Sequence, residues 1–234
     1  MAVNVLVEAA RGLGMPQGMS VTAATRGRTW FRVYLADDGF AIPNPGFGDT
    51  RFAPFDDASG NRVEAMYVAE QLEGALLETV LRNVGVATPR MITETDLLGR
   101  LQVAMIAPRD LLLADLRDAA LSNLGVDRGA LATSSAEHYP CTRAVAKAVH
   151  ACKTPDGSPI DGIVWHSRQA ELSGRPPQEV AVLFGPNAPM GRASWEIARA
   201  RGSSGALIEG AGRDEFDRLA NQLGVTVMRD LPGA

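Results

Sequence analysis

A chain of 234 residues is long enough for one compact domain with a sizeable core. Hydrophobic residues make up 46% and charged residues 21%, a balance that excludes disorder for the bulk of it. With 23 Lys and Arg against 27 Asp and Glu, the formal charge of -4 argues against direct binding to nucleic acid or to an anionic membrane surface.

The longest apolar runs, such as Leu101 to Ala107, fall far short of the roughly 20 residues that a spanning helix needs. Met1 to Ala10 carries no basic start and is interrupted by Asn4 and Glu8, so a secretory leader is not expected. Cys141 and Cys152 alone make no disulfide framework, which points to a reducing compartment, the cytoplasm. All but two of the basic residues, Lys147 and Lys153, are arginines, the side chain suited to forked contacts with carboxylate and phosphate.

Taken in chain order, Met1 to Arg28 is rich in glycine and small polar residues and reads as an arm. Trp30 to Leu35 is aromatic and β-branched, a strand with Arg32 embedded in it. The prolines and glycines between Asp37 and Gly60 make a long irregular loop, and long loops in compact domains tend to be functional. Ala65 to Ala69 reads as a short buried strand. Gln71 to Asn83 reads as a helix with Leu72, Ala75, Leu76, Val80 and Leu81 at helical spacing, closed by Gly85.

A strand at Leu101 to Ile106, a helix ending near Leu124, a helix over Thr142 to Ala151 and strands at Gly162 to Trp165 and Val180 to Phe184 follow. Beyond Pro186 the pattern predicts a helix over Ala193 to Arg201, a strand at Ala206 to Glu209, a helix over Asp214 to Leu223 and a strand at Val225 to Met228. Helices and strands interleave without strict alternation, which favours an α+β fold: a compact mixed sheet core with flanking helices. The organisation expected is an arm at 1–28, a core at 29–185 and a C-terminal α/β extension at 186–234 packed on that core.

Four motifs imitate chemistry. Gly210-Ala211-Gly212 follows a strand and precedes a helix, but Glu215 stands where a dinucleotide fingerprint needs its third glycine, so it reads as a turn. Gly185 to Ser194 resembles a phosphate loop with the wrong spacing, and Arg192 and Ala193 replace its Lys and Ser/Thr. His138, Cys141, His150 and Cys152 do not suit a metal, because His150 and Cys152 would sit about 200° apart on a helix. His166 and Ser167 lack the nucleophile elbow of a serine hydrolase.

Set against these are polar residues placed where the local pattern asks for apolar ones: Arg32 in a strand, Arg51 beside Phe52, Tyr67 in a buried strand, Glu78 on a helix and Ser167 just after a strand. Each has an ordinary explanation alone; Glu78, for example, could be a surface partner of Arg82 four residues on. Their order is more telling. Phe31-Arg32-Val33-Tyr34, Thr50-Arg51-Phe52-Ala53-Pro54, Met66-Tyr67-Val68-Ala69-Glu70, Ala75-Leu76-Leu77-Glu78-Thr79-Val80 and Asp161-Gly162-Ile163-Val164-Trp165-His166-Ser167-Arg168 together resemble the RES domain, over about Thr29 to Phe184. Ala53 stands where the family more often has a small polar residue.

The resemblance implies a fold similar to ADP-ribosyltransferase toxins and the role of a toxin of a toxin-antitoxin pair. It implies an enzyme that degrades NAD by cleaving the nicotinamide-ribose bond, with inorganic phosphate or water as acceptor, and so a phosphorylase or glycohydrolase. NAD is then substrate, and no cofactor or metal is implied. Glu78 would be the central carboxylate, with Arg51 beside it in catalysis. Arg32, Tyr67 and Ser167 would bind substrate. The partner implied is a small helix-turn-helix antitoxin of the Xre-like type covering the pocket, and a homo-oligomer is compatible with all of this. Transfer of ADP-ribose to a protein, or a non-catalytic RES-like binding protein, are the alternatives.

The residue types suit that chemistry. Departure of nicotinamide leaves an oxocarbenium-like ribose that a carboxylate stabilises, and the neutral leaving group needs no general acid. Guanidinium groups fork onto pyrophosphate, and a tyrosine ring packs on ribose or nicotinamide. Gly74, one turn before Glu78, leaves room for a ligand or permits close packing of the helix.

Overall fold

A computed structural model describes residues 19–46, 48–82, 84, 90–123, 131, 136–200 and 204–229. The core is one mixed sheet. Its strands are β1 (Val21–Ala24), β2 (Thr29–Leu35), β3 (Ala65–Ala69), β5 (Arg100–Ile106), β6 (Leu111–Asp115), β7 (Gly162–His166), β8 (Glu179–Phe184), β9 (Glu196–Ile197) and β10 (Ser204–Ala206). They run in the order β1-β6-β7-β8-β3-β2-β5-β10, and β9 pairs with β5 beside β10. A separate parallel pair joins β4 (Arg90–Thr93) to β11 (Val225–Met228). Among the described residues the α-helices are α1 (Leu72–Leu77), α2 (Asp118–Asn123), α3 (Tyr139–Ala151), α4 (Arg168–Leu172) and α5 (Gly210–Gln222). The α+β class expected from the interleaved pattern is the one observed.

The central strands bury both faces, and their period of two divides the residues between two cores. Ile163 and Trp165 of β7 and Val180, Val182 and Phe184 of β8 face a core that also holds Phe52, Leu76 and Phe216. Val164, Ala181 and Leu183 face the other, with Trp30, Met66 and Met105. Gly162 has no alternative at its position: an added Cβ would lie 2.0 Å from the carbonyl oxygen of Val182. In the main sheet, β6 and β7 form the parallel pair. A parallel pair requires a crossover, and this one carries α2 and α3.

One irregularity positions everything that follows. β2 pairs with β5 along its whole length, from Thr29↔Ile106 to Leu35↔Arg100, and β3 pairs with β8 from Ala65 to Ala69. Between β2 and β3, however, the register contains the single pair Phe31↔Ala69. Beyond that pair the strands diverge, and side chains of both line the gap.

Several predicted boundaries differ from those observed. The helix expected over Gln71 to Asn83 is helical only over Leu72–Leu77, because Thr79 Oγ1 bonds back to the Ala75 carbonyl at 2.6 Å and the Leu81 amide reaches Leu76 O, five residues back. Gly85 and Leu124 lie outside the described residues. The segment expected as a helix from Ala193 contains β9 instead. Trp195 is buried with its indole N–H on the Pro189 carbonyl at 3.0 Å, and Glu196 and Ile197 pair with Ile106 and Met105.

Gly210-Ala211-Gly212 is the first turn of α5 rather than a free turn. Gly212 is there because an added Cβ would sit 2.2 Å from the Ala206 carbonyl oxygen. β1, inside the segment read as an arm, pairs with β6, which the sequence reading left unassigned.

Candidate active site

The gap between β2 and β3 is a cleft of about 360 Å³. Arg32, Arg51, Tyr67 and Glu78 all line it, and Ser167 lies behind Glu78. Five arginines border the cleft, Arg32, Arg51, Arg82, Arg100 and Arg168, against two carboxylates, Asp38 and Glu78. An acidic protein thus concentrates positive potential in one concavity, which attracts anionic ligands.

Glu78 follows the last residue of α1, where the helix loosens. Ser167 Oγ donates to Glu78 Oε1 at 2.6 Å and accepts from the Ala170 amide at 3.3 Å, so one hydroxyl caps α4 and fixes the carboxylate. Burial raises the Glu78 pKa above the ordinary value, and the Ser167 hydrogen bond with the charges of Arg51 and Arg82 works against that rise. The surface pair with Arg82 considered from the sequence is not formed. Arg82 donates instead to the Asp49 carbonyl at 2.9 Å and to the Tyr139 hydroxyl at 3.1 Å. Gly74 serves packing, since an added Cβ would meet Ala69 Cβ at 3.2 Å and Gln178 Cβ at 3.4 Å.

Arg51 stands on the long loop. Its guanidinium donates to the Leu131 carbonyl at 3.0 Å and lies 5.5 Å from the Tyr139 ring centroid. Burial lowers its pKa, while the neighbouring Tyr139 and Glu78 favour its charge. Arg32 is buried on β2 and donates to Phe40 O at 2.8 Å; burial lowers its pKa to about 10, so it remains cationic at neutral pH.

Tyr67 ties the loop to the sheet. Its hydroxyl lies 2.7 Å from Thr50 Oγ1 and accepts from the Phe52 amide at 3.2 Å. Thr50 gives its own proton to the Ala53 carbonyl at 2.7 Å, which leaves Tyr67 as the donor to Thr50. Burial pushes the Tyr67 pKa up to about 12, and the phenol stays neutral. Its ring meets Trp165 edge-on at 6.1 Å. The buried Trp165 indole nitrogen has no acceptor among the described residues.

The sequence reading missed Arg82, Tyr139 and Arg168 as members of this cleft. Arg168 directly follows the Ser167 motif and was legible by proximity. Tyr139 had no such signal, because it comes from the β6–β7 crossover, far along the chain from Arg51.

The split sheet thus encloses a cationic cleft around one half-buried, serine-anchored carboxylate, an arrangement suited to anionic ligands. The sequence profile of the RES domain matches residues 25–201, and the chain belongs to that family. No curated protein matches it. Among solved structures it is similar to a chain in the crystal structure of the M. tuberculosis MbcT-MbcA toxin-antitoxin complex. The TM-score is 0.55 at 15% identity, covering 92% of this chain and 98% of that one. Among the described residues, no helix is long and apolar enough to cross a membrane.

Proposed function

We propose that the protein is a RES-type toxin enzyme that cleaves the bond between nicotinamide and ribose in NAD. The observation that carries this reading is the Glu78 carboxylate, fixed by Ser167 in a cleft where arginines outnumber acids. In the step proposed, the C1′–N bond breaks and its electron pair neutralises the pyridinium nitrogen. Positive charge moves to the ribose ring, where Glu78 stabilises it. An oxygen of inorganic phosphate or of water then bonds to C1′ and gives up its proton to solvent.

Arg51 and Arg32 act on the negative charges, binding the pyrophosphate or positioning the incoming phosphate. Tyr67 packs its neutral ring at the nicotinamide ribose. Ser167 keeps Glu78 aimed. No metal or bound cofactor takes part in this scheme, and NAD enters as substrate.

The partner proposed is a protein antitoxin that covers the cleft, in keeping with the family and with the similar fold found in a toxin-antitoxin complex; the setting proposed is the cytoplasm. Incubation of the purified chain with NAD, with and without phosphate, separates the outcomes. Release of nicotinamide with ADP-ribose 1″-phosphate identifies phosphorolysis, and free ADP-ribose identifies hydrolysis. Absence of nicotinamide release in both conditions overturns the reading.

A further inference from the structure

One side of α3 faces the loop that carries Arg51. Tyr139 lies against Arg51 and Arg82, and the Thr142 hydroxyl donates to the Arg51 carbonyl. Arg143 pairs with Asp49, and Lys147 reaches the Asp57 carbonyl at 3.2 Å. These positions recur at three- and four-residue spacing, the repeat of one helix face. At its end His150 meets Phe55 at 5.7 Å. The whole stretch from Asp49 to Asp57 is therefore gripped by a helix that belongs to the crossover.

Tyr139 is the point at which this grip meets the cleft. Its ring centroid lies 5.5 Å from the guanidinium carbon of Arg51 and 5.5 Å from that of Arg82. Its hydroxyl accepts from Arg82 Nη2 at 3.1 Å, and that same nitrogen donates to the Asp49 carbonyl. Gln169, next to Arg168, holds the Arg82 carbonyl at 2.8 Å. Two cations that would repel each other in solvent share one electron-rich ring, an arrangement that lowers the energy of keeping both in a confined space.

We infer that Tyr139 is a positioning residue: through its ring and hydroxyl, α3 holds the guanidiniums of Arg51 and Arg82 in the cleft that contains Glu78. The inference rests on the NAD reading for its substrate, and the anion recognised is the pyrophosphate of the ADP-ribosyl group. Tyr139 touches no reacting atom. It acts by sparing the two arginines a search through rotamers when substrate enters.

Tyr139→Phe keeps the ring and removes the hydroxyl; its near-identical shape preserves the fold. Tyr139→Leu removes the ring as well. Nicotinamide release from NAD is measured across pH for both variants. Calorimetric titration with ADP-ribose gives affinity without turnover, and thermal melting reports the fold. The Phe variant is expected to raise KM by roughly threefold to tenfold, the effect of one lost charge-assisted hydrogen bond. The Leu variant is expected to lower kcat/KM by roughly thirtyfold and to weaken ADP-ribose binding in proportion.

A second readout is one that a merely structural residue would not move. Burial raises the Glu78 pKa, and the Ser167 hydrogen bond with the charges of Arg51 and Arg82 keeps that rise in check. Loosening the two arginines moves the acid limb of kcat/KM to higher pH. KM, ADP-ribose affinity and acid limb all equal to wild type in the Leu variant overturn the inference, as does a loss seen in melting alone. Wild type that binds ADP-ribose more tightly than the Leu variant but releases no nicotinamide overturns NAD cleavage and leaves the positioning role standing. Wild type that neither binds nor cleaves overturns both.

Discussion

Two clefts lie at opposite ends of α1, and they treat arginine differently. The larger, about 920 Å³, begins at Leu72 and Glu73 and is walled by α5. Its two guanidiniums are matched: Arg175 forks onto Glu73 at 2.7 and 3.1 Å, and Arg218 forks onto Glu215 at 2.6 and 2.9 Å. Asp214 adds a further acid. The smaller cleft, at Glu78, has arginines in excess, and those whose hydrogen bonds are described lean on backbone carbonyls, as Arg32 does on Phe40, Arg51 on Leu131 and Arg82 on Asp49. A carbonyl holds a guanidinium in place without cancelling its charge, and a carboxylate does both. Volume therefore ranks the two clefts in the opposite order from charge, and charge is what an anionic substrate reads.

The sharpest way to break this contrast is Glu78→Gln. If the smaller cleft cleaves NAD, nicotinamide release falls by roughly 10³-fold, as expected for loss of the group facing the developing charge. Arg51→Ala comes next, with a loss of roughly 10²-fold carried mainly in kcat/KM. In the larger cleft Arg175→Met should leave nicotinamide release within about twofold. It should lower stability by about 1 kcal/mol in a denaturant titration, because the buried Glu73 loses its partner while solvent still reaches part of the site.

The smallest effect is on stability at Glu78 itself. Folding raises its pKa, so between the ordinary and the raised value the folded chain binds more protons than the unfolded one, and stability falls as pH rises through that window. Glu78→Gln removes the charge that burial disfavours. Its melting temperature should exceed wild type at pH 7.5, with the gap closing as pH falls through the same window. A wild-type advantage at pH 7.5 would mean that the carboxylate serves the fold rather than the reaction.

Much of the cleft was legible because its residues break local rules. Arg32 in an aromatic strand and Tyr67 between Met66 and Val68 stand out without any structure, and Ser167 is marked by its position after an apolar run. The strands that carry them were legible for the related reason that central strands bury both faces. What periodicity could not show was where a pattern stops being a helix. Val80 and Leu81 continue the apolar spacing of α1 because the turn after Glu78 still buries them, although Thr79 has already diverted a backbone carbonyl.

β9 was misread for a different reason. Trp195 to Ile197 takes its conformation from a distant edge of β5, and no local propensity encodes such a partner. Tyr139 escaped in the same way. On sequence it is one residue before a proline at the start of a helix, and only the crossover brings it beside Arg51.

The parallel pairing of β6 with β7 has a bearing on how such a protein can change. Because none of the described residues of the crossover belongs to a strand of the sheet, residues along α3 can be exchanged without shifting the register of its pairs. Substitutions on the face of α3 that meets the Arg51 loop would then alter how the arginines of the cleft are held, while Glu78 and Ser167, which come from the end of α1 and the β7–α4 junction, stay in place. If the cleft acts on NAD as proposed, directed evolution restricted to α3 is the place to retune which anion it accepts.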